Sequence, residues 1–184
     1  MNINILLFHG FETLDVFGPV EVLGHIESFH LEYYSMTGEE IASAQGTRIL
    51  TKKIGMADKQ GILVVPGGRG TRALVENKEF LQMLKNMSQS ARYILSICTG
   101  SALLAKAGVL DGVRATSNKN AFDWVRSTSN QVEWEREPRW IADGRYYTSA
   151  GVSAGIDMAF GFIRDLFGEE RAKQIAKDIE YKIC

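Results

Sequence analysis

The sequence predicts an α/β protein: a single-domain three-layer sandwich, its sheet mostly parallel, with helices on both faces and a cysteine nucleophile elbow. Three observations predict it. Apolar runs of strand length, such as INILLF, ILVV and YILSI, alternate with stretches of helical periodicity, the pattern of a sheet covered on both sides. The segment Ser96-Ile97-Cys98-Thr99-Gly100 has G-x-S-x-G spacing, with cysteine as the central residue and serine at the first small position. And 184 residues with 45% hydrophobic content are enough for one sizeable core, with no call for a second domain.

In chain order, residues 2–8 form a first buried strand bounded by His9-Gly10. From Thr13 the pattern turns helical, with Leu14, Phe17 and Leu23 at helical spacing and Asp15 at its start; Pro19 marks a helix start or a kink. Residues 31–36 and 47–54 read as two further strands, the second a half-exposed edge of alternating apolar and basic residues. ILVV is a buried strand, and Pro66-Gly67-Gly68 forces a turn behind it. Residues 71–87 read as one helix with Leu74, Phe80, Leu81 and Leu84 inward.

Tyr93 to Ile97 is the strand that leads to Cys98, and residues 99–106 form a helix that stops at Gly108. Residues 113–117 read as a strand, 120–125 as a helix and 131–135 as a strand. A hairpin turns at Asp143-Gly144. After the small-residue stretch TSAGVSAG come helices over 156–167 and 169–181. In such sheets ligands sit at the carboxyl ends of the strands, where His9, Gly67, Gly68 and Cys98 collect.

A formal net charge of -1, from 21 basic and 22 acidic residues, leaves no basic footprint for nucleic acid. No apolar run reaches the ~20 residues that span a bilayer, and the N-terminus lacks a basic region and a cleavage site. A cytoplasmic protein with a small-molecule partner, and neither nucleic acid nor membrane, is therefore expected. Two cysteines make no disulfide framework, and Cys184 reads as incidental.

A thiol at the Cys98 corner stands close to helix amides, which favour a reactive thiolate. The usual partner is missing: the three histidines, His9, His25 and His30, all precede Cys98. His9 is either a pocket-wall or surface residue or a group that reaches the thiol from strand one; His25 and His30 read as solvated. Asp15 is either a carboxyl that burial keeps protonated against the thiolate or a carboxylate favoured by the helix dipole. The amides of the Pro66-Gly67-Gly68 turn and of Thr99 could form an oxyanion hole. No Cys/His cluster has metal-ligand spacing, and no metal is expected.

The segments ILLFHGFETLDVFGPVEVL, ILVVPGG, ILSICTGSALLAKAGVLDG, VRATS and TSAGVSAGIDMAFGFI, in this order, resemble the ThiJ/PfpI family of the class I glutamine amidotransferase-like superfamily. The resemblance runs end to end and implies a flavodoxin-like fold; the nearest branch is the isonitrile hydratase-like proteins. It implies that Cys98 is the nucleophile, Asp15 its acidic partner, and the Gly68 and Thr99 amides the anion-stabilising donors, in a cofactor-free homodimer with the site near the interface. Some relatives carry this domain in front of a DNA-binding module, but the sequence stops at Cys184, so a DNA-binding regulator is not expected. Asn118 stands where many family members have histidine, and Thr99 departs from protease-like members in the same way. Both departures favour hydration of an isonitrile to an N-substituted formamide by a lyase of this branch. The alternatives are a glyoxalase or deglycase acting on 2-oxoaldehydes, and a non-enzymatic dimeric redox or ligand sensor built on an oxidisable Cys98.

Overall fold

The computed structural model describes residues 1–183; Cys184 lies outside the described residues. Five parallel strands form most of one mixed sheet: β1 (Asn2–Leu6), β2 (His30–Ser35), β6 (Ile62–Val65), β7 (Tyr93–Ile97) and β11 (Tyr146–Ser149). The two-residue β5 (Lys52–Lys53) pairs parallel to β2 at one edge, and β10 (Trp140–Asp143) pairs antiparallel to β11 at the other. The order is β10-β11-β7-β6-β1-β2-β5, so the strand order reverses between β1 and β6. The loops that follow these two strands meet in that crevice.

Strands β6 and β7 are buried nearly throughout, as an apolar run without alternation requires in a sheet covered on both faces. Helices α1 (Thr13–Gly24), α6 (Ala154–Phe167) and α7 (Glu169–Asp178) pack together on one face. On the other lie the one-turn α2 (Thr71–Leu74), α3 (Lys78–Ser90), α4 (Gly100–Lys106) and α5 (Phe122–Arg126). Gly18 lets α1 approach α6: a Cβ there would stand 2.7 Å from Ile156. Among the described residues no helix is long and apolar enough to cross a membrane.

Several sequence expectations are corrected in detail. The helix expected over 71–87 is two helices, because Asn77 leaves the helical path and its side chain accepts the Phe80 amide at 3.0 Å, capping α3. The strand expected over 47–54 is divided between β4 (Arg48–Leu50), which forms a separate hairpin with β3 (Glu40–Ala42), and β5 in the main sheet. The break falls at Thr51, whose amide (3.2 Å) and hydroxyl (2.5 Å) both donate to the Glu39 carbonyl and hold it to the hairpin. Strand β3 was not expected. Of the strands expected over 113–117 and 131–135, only β8 (Arg114–Ala115) and β9 (Glu133–Trp134) form, as a separate parallel pair. Pro19 sits inside α1, neither starting it nor ending it.

Candidate active site

Cys98 follows β7 directly and has φ 56°, in the left-handed region; Glu180 is the other non-glycine residue there among the described residues. For a side chain with a Cβ this backbone costs about 1–2 kcal/mol, so other groups must hold it. Two sets do. The Cys98 amide donates to the carbonyls of Ser149 (3.2 Å) and Ala150 (3.0 Å) at the end of β11. The Cys98 carbonyl accepts the hydroxyls of Ser117 (2.8 Å) and Ser101 (3.1 Å). The thiol thus stands at a tight strand-helix corner, and the residue is 6% exposed.

Asp15, in the first turn of α1, is fully buried. Its Oδ2 accepts the Gly67 amide at 2.9 Å, while Oδ1 has no hydrogen-bond partner among the described residues. Burial pushes its pKa up to about 7, against the pull of the Gly67 amide; the charge of Glu12 adds to the rise and the Cys98 thiol lowers it slightly. The structure therefore brings the carboxyl to the thiol, and the first-turn position and the site are one and the same place. The thiol does not become the low-pKa group expected beside helix amides. Burial and the Asp15 charge push Cys98 up to about 12, outweighing the Thr99 amide and the Asn118 and Thr99 side chains that pull it down.

The Pro66-Gly67-Gly68 turn is wedged against this corner. A Cβ on Gly67 would meet the Thr99 nitrogen at 2.5 Å, and Gly68, at φ 122°, has the Gly10 carbonyl 2.4 Å from where its Cβ would stand. Neither position tolerates a side chain. The Gly68 amide, expected to face an anion directly, instead donates to Thr99 Oγ1 at 3.0 Å. That hydroxyl also interacts with the Cys98 thiol, so Gly68 reaches sulfur through Thr99. Thr71 Oγ1 donates to the Gly68 carbonyl at 2.7 Å and lies 3.1 Å from Thr99 Oγ1, tying α2 to the same cluster.

Asn118 is placed with equal definition. Its Oδ1 accepts the amides of Asn120 (3.0 Å) and Ala121 (3.1 Å), which leaves Nδ2 as the donor toward Cys98. Asn118 also lines a cleft of about 420 Å³ beside Ala150, whose carbonyl holds the Cys98 amide. The two cations of that cleft are Lys119 and Arg139. Lys119 donates to Thr116 Oγ1 at 3.0 Å, to the Pro138 carbonyl at 2.6 Å and to the Arg136 carbonyl, and burial lowers its pKa. Arg139 pairs with buried Asp157, which also accepts the Tyr181 hydroxyl at 2.8 Å.

His9 does not join this cluster. It lines a separate cavity on the far side of the loops after β1 and β6, where its Nδ1 accepts the Ala42 amide at 3.3 Å; the pocket-wall alternative describes it. His30 is exposed, and His25 is half-buried beside Glu21 at 3.5 Å. Sequence reasoning missed Ser101, Ser117, Thr71, Lys119 and Arg139. Ser117 and Lys119 flank the Asn118 departure and could have been found there, whereas Arg139 carries no local signal. Among the described residues no group of three or more His, Cys, Asp or Glu side chains converges that could hold a metal.

Comparison with known proteins agrees with this architecture. The chain is 30% identical over 182 residues to an isonitrile hydratase of Pseudomonas putida, a match covering 98% of this chain and 78% of that one. It is 28% identical over 155 residues to a deglycase of Thermococcus kodakarensis, covering 81% and 89% of the two chains. The crystal structure of a ThiJ/PfpI family protein from Pseudomonas syringae superposes with a TM-score of 0.90 at 27% identity, covering 98% of this chain and 75% of that one. The sequence model described as the DJ-1/PfpI family matches residues 1–165, and the chain belongs to that family.

Proposed function

We propose that the protein is a cofactor-free, cysteine-dependent hydratase of a small electrophile, with conversion of an isonitrile to an N-substituted formamide as the reaction. The observation that carries this reading is the buried Cys98–Asp15 pair: carboxyl and thiol share one dry corner, where burial raises the proton affinity of both and the carboxyl stays the stronger acid. A nucleophile and an acid thus stand side by side, and none of the three histidines joins them.

In the reaction the Asp15 carboxylate takes the thiol proton as sulfur bonds to the terminal carbon of the isonitrile. It then returns that proton to the same carbon, giving a thioimidate. Water adds across the carbon–nitrogen double bond, oxygen to carbon and a proton to nitrogen. The carbon–sulfur bond then breaks, the hydroxyl proton passes through Asp15 to sulfur, and formamide and free thiol result. One water is consumed and no oxidant is needed. Asn118 Nδ2, the Thr99 amide and the Thr99 hydroxyl stabilise sulfur while it carries negative charge.

The 30% identity to the Pseudomonas putida isonitrile hydratase supports this choice. A glyoxalase or deglycase reaction, in which the thiol adds to a 2-oxoaldehyde carbonyl, is the second reading, favoured by the similarity to the Thermococcus kodakarensis deglycase. The third reading, a redox sensor, requires Cys98 to be a thiolate at neutral pH, as easily oxidised cysteines are. A homodimer is part of the proposal: Leu14 and Phe17, on either side of Asp15 along α1, are 41% and 36% exposed and offer an apolar face beside the site.

Turnover of a panel of isonitriles and 2-oxoaldehydes, with Cys98→Ala and Asp15→Asn alongside, tests the reading. Isonitrile turnover that vanishes in Cys98→Ala and falls about 100- to 10,000-fold in Asp15→Asn is the expected result. Full turnover in both variants overturns the mechanism. Turnover of 2-oxoaldehydes alone selects the second reading, and stoichiometric Cys98 oxidation by peroxide with no turnover at all selects the sensor.

A further inference from the structure

The loops after β1 and β6 are zipped together by backbone hydrogen bonds, Glu12 amide to Gly67 carbonyl at 2.9 Å and Gly70 amide to Gly10 carbonyl at 3.2 Å. This seam divides the carboxyl end of the sheet into two compartments. One holds Asp15, Gly67 and Cys98. The other is a cavity of about 300 Å³, over the ends of β1 and β2, which the proposed reaction does not use.

The walls of this second cavity are apolar: Phe8, Met36, Ile41, Leu74 and Phe80 contribute most of them. Phe8 and Phe80 meet edge to face with centroids 6.1 Å apart, so that wall is rigid and aromatic. Three polar residues also line the cavity: Ser35, whose hydroxyl is already bonded to Thr51 Oγ1 at 2.7 Å and to the Gly38 amide at 3.0 Å, and His9 and Glu39, which are exposed at its rim. Because His9 Nδ1 is an acceptor from the Ala42 amide, its neutral imidazole carries the proton on Nε2 and is a donor there. The Glu39 carboxylate is an acceptor. The cavity therefore combines one apolar volume with a donor and an acceptor at its rim, the two kinds of group a hydroxyl can use.

Size limits the occupant. An apolar cavity of about 150 Å³ accepts a benzene ring, and small-molecule pockets begin near 300 Å³. A ring with a short substituent fits; a helix or an extended peptide does not. We propose that this cavity is a second small-molecule site, distinct from the Cys98 site, for an uncharged aryl or short alkyl alcohol whose hydroxyl lies between His9 and Glu39.

The test uses the full chain labelled with 13C-methyl methionine and titrated with benzyl alcohol. The Met36 methyl, identified by its loss in Met36→Leu, is expected to shift saturably, while the methyl of Met56, 72% exposed and outside the cavity, stays in place. Ala73 lines the cavity from an exposed position, so Ala73→Phe fills the space without entering the packed core. This variant is expected to weaken binding at least tenfold, and Ala73→Met serves if the phenylalanine variant does not fold. His9→Ala is expected to weaken benzyl alcohol severalfold and toluene not at all. A Met36 methyl that does not move, or moves only in parallel with Met56, overturns the proposal. So does undiminished affinity in a folded filled-cavity variant.

Discussion

Replacing Asp15 by asparagine should make the protein more stable at pH 8 and leave it nearly unchanged at pH 4. A rise from 3.8 in the unfolded chain to about 7 in the folded one, at 1.36 kcal/mol per tenfold change in acidity, places roughly 4 kcal/mol of penalty on the ionised form. The sign follows from proton counting. Between these values the folded protein holds a proton that the unfolded chain has released, so stability is fully present below about pH 4 and is lost as pH rises to about 7. Asparagine keeps an oxygen for the Gly67 amide but never ionises. The assay is urea unfolding of wild type and Asp15→Asn at several pH values from 4 to 8, taking the difference at each so that all other groups cancel. The difference should grow in favour of the variant by about 4 kcal/mol across that range. A difference constant within about 1 kcal/mol would refute the claim that burial without a full set of partners raises this carboxyl.

At position 98 the usual ranking of alanine above glycine should invert: with φ 56°, Cys98→Gly should be about 1 kcal/mol more stable than Cys98→Ala in the same urea assay. Asn118→Asp replaces a donor to sulfur by a second carboxylate and should slow alkylation of Cys98 by iodoacetamide at pH 8 at least tenfold, measured by mass spectrometry; Asn118→Ala should slow it less. Thr99→Val removes the hydroxyl between Gly68 and the thiol, leaving the Gly68 amide unpaired, and should cost about 1–3 kcal/mol in unfolding free energy. Gly68→Ala, which drives a Cβ toward the Gly10 carbonyl, should lose at least that much.

The central strands were legible because each is a short, mostly apolar run with a turn behind it; ILVV is wholly apolar and YILSI departs from that only at Ser96. The Asn77 break was not, because Leu74, Leu81 and Leu84 keep helical spacing across it while a single capping bond to Phe80 decides the boundary. The fate of residues 47–54 depends on Thr51 bonding to Glu39, a partner that periodicity does not register. In the site, Cys98 is announced by its spacing, and Asp15 could be suspected but not decided, since burial, which sets its ionisation, is a property of packing. Burial bears on the thiol in the same way: helix amides can be inferred from a motif, whereas the dry surroundings that push its pKa up cannot. Ser117, Thr71 and Arg139 act through neighbours distant in sequence, where a local reading has no purchase.

The peptide unit of Cys98 depends on partners from widely separated parts of the chain. Its amide is held by Ser149 and Ala150, its carbonyl by Ser101 and Ser117, and its thiol faces Asp15. A chain still lacking β11 can form β1, β6 and β7 but lacks the two carbonyls that hold the Cys98 amide in the left-handed conformation. Contacts that join distant segments form late, because loop closure opposes them. Until β11 docks, only the serine hydroxyls on its carbonyl restrain Cys98. The geometry of the corner is thereby completed only when β11 is in place.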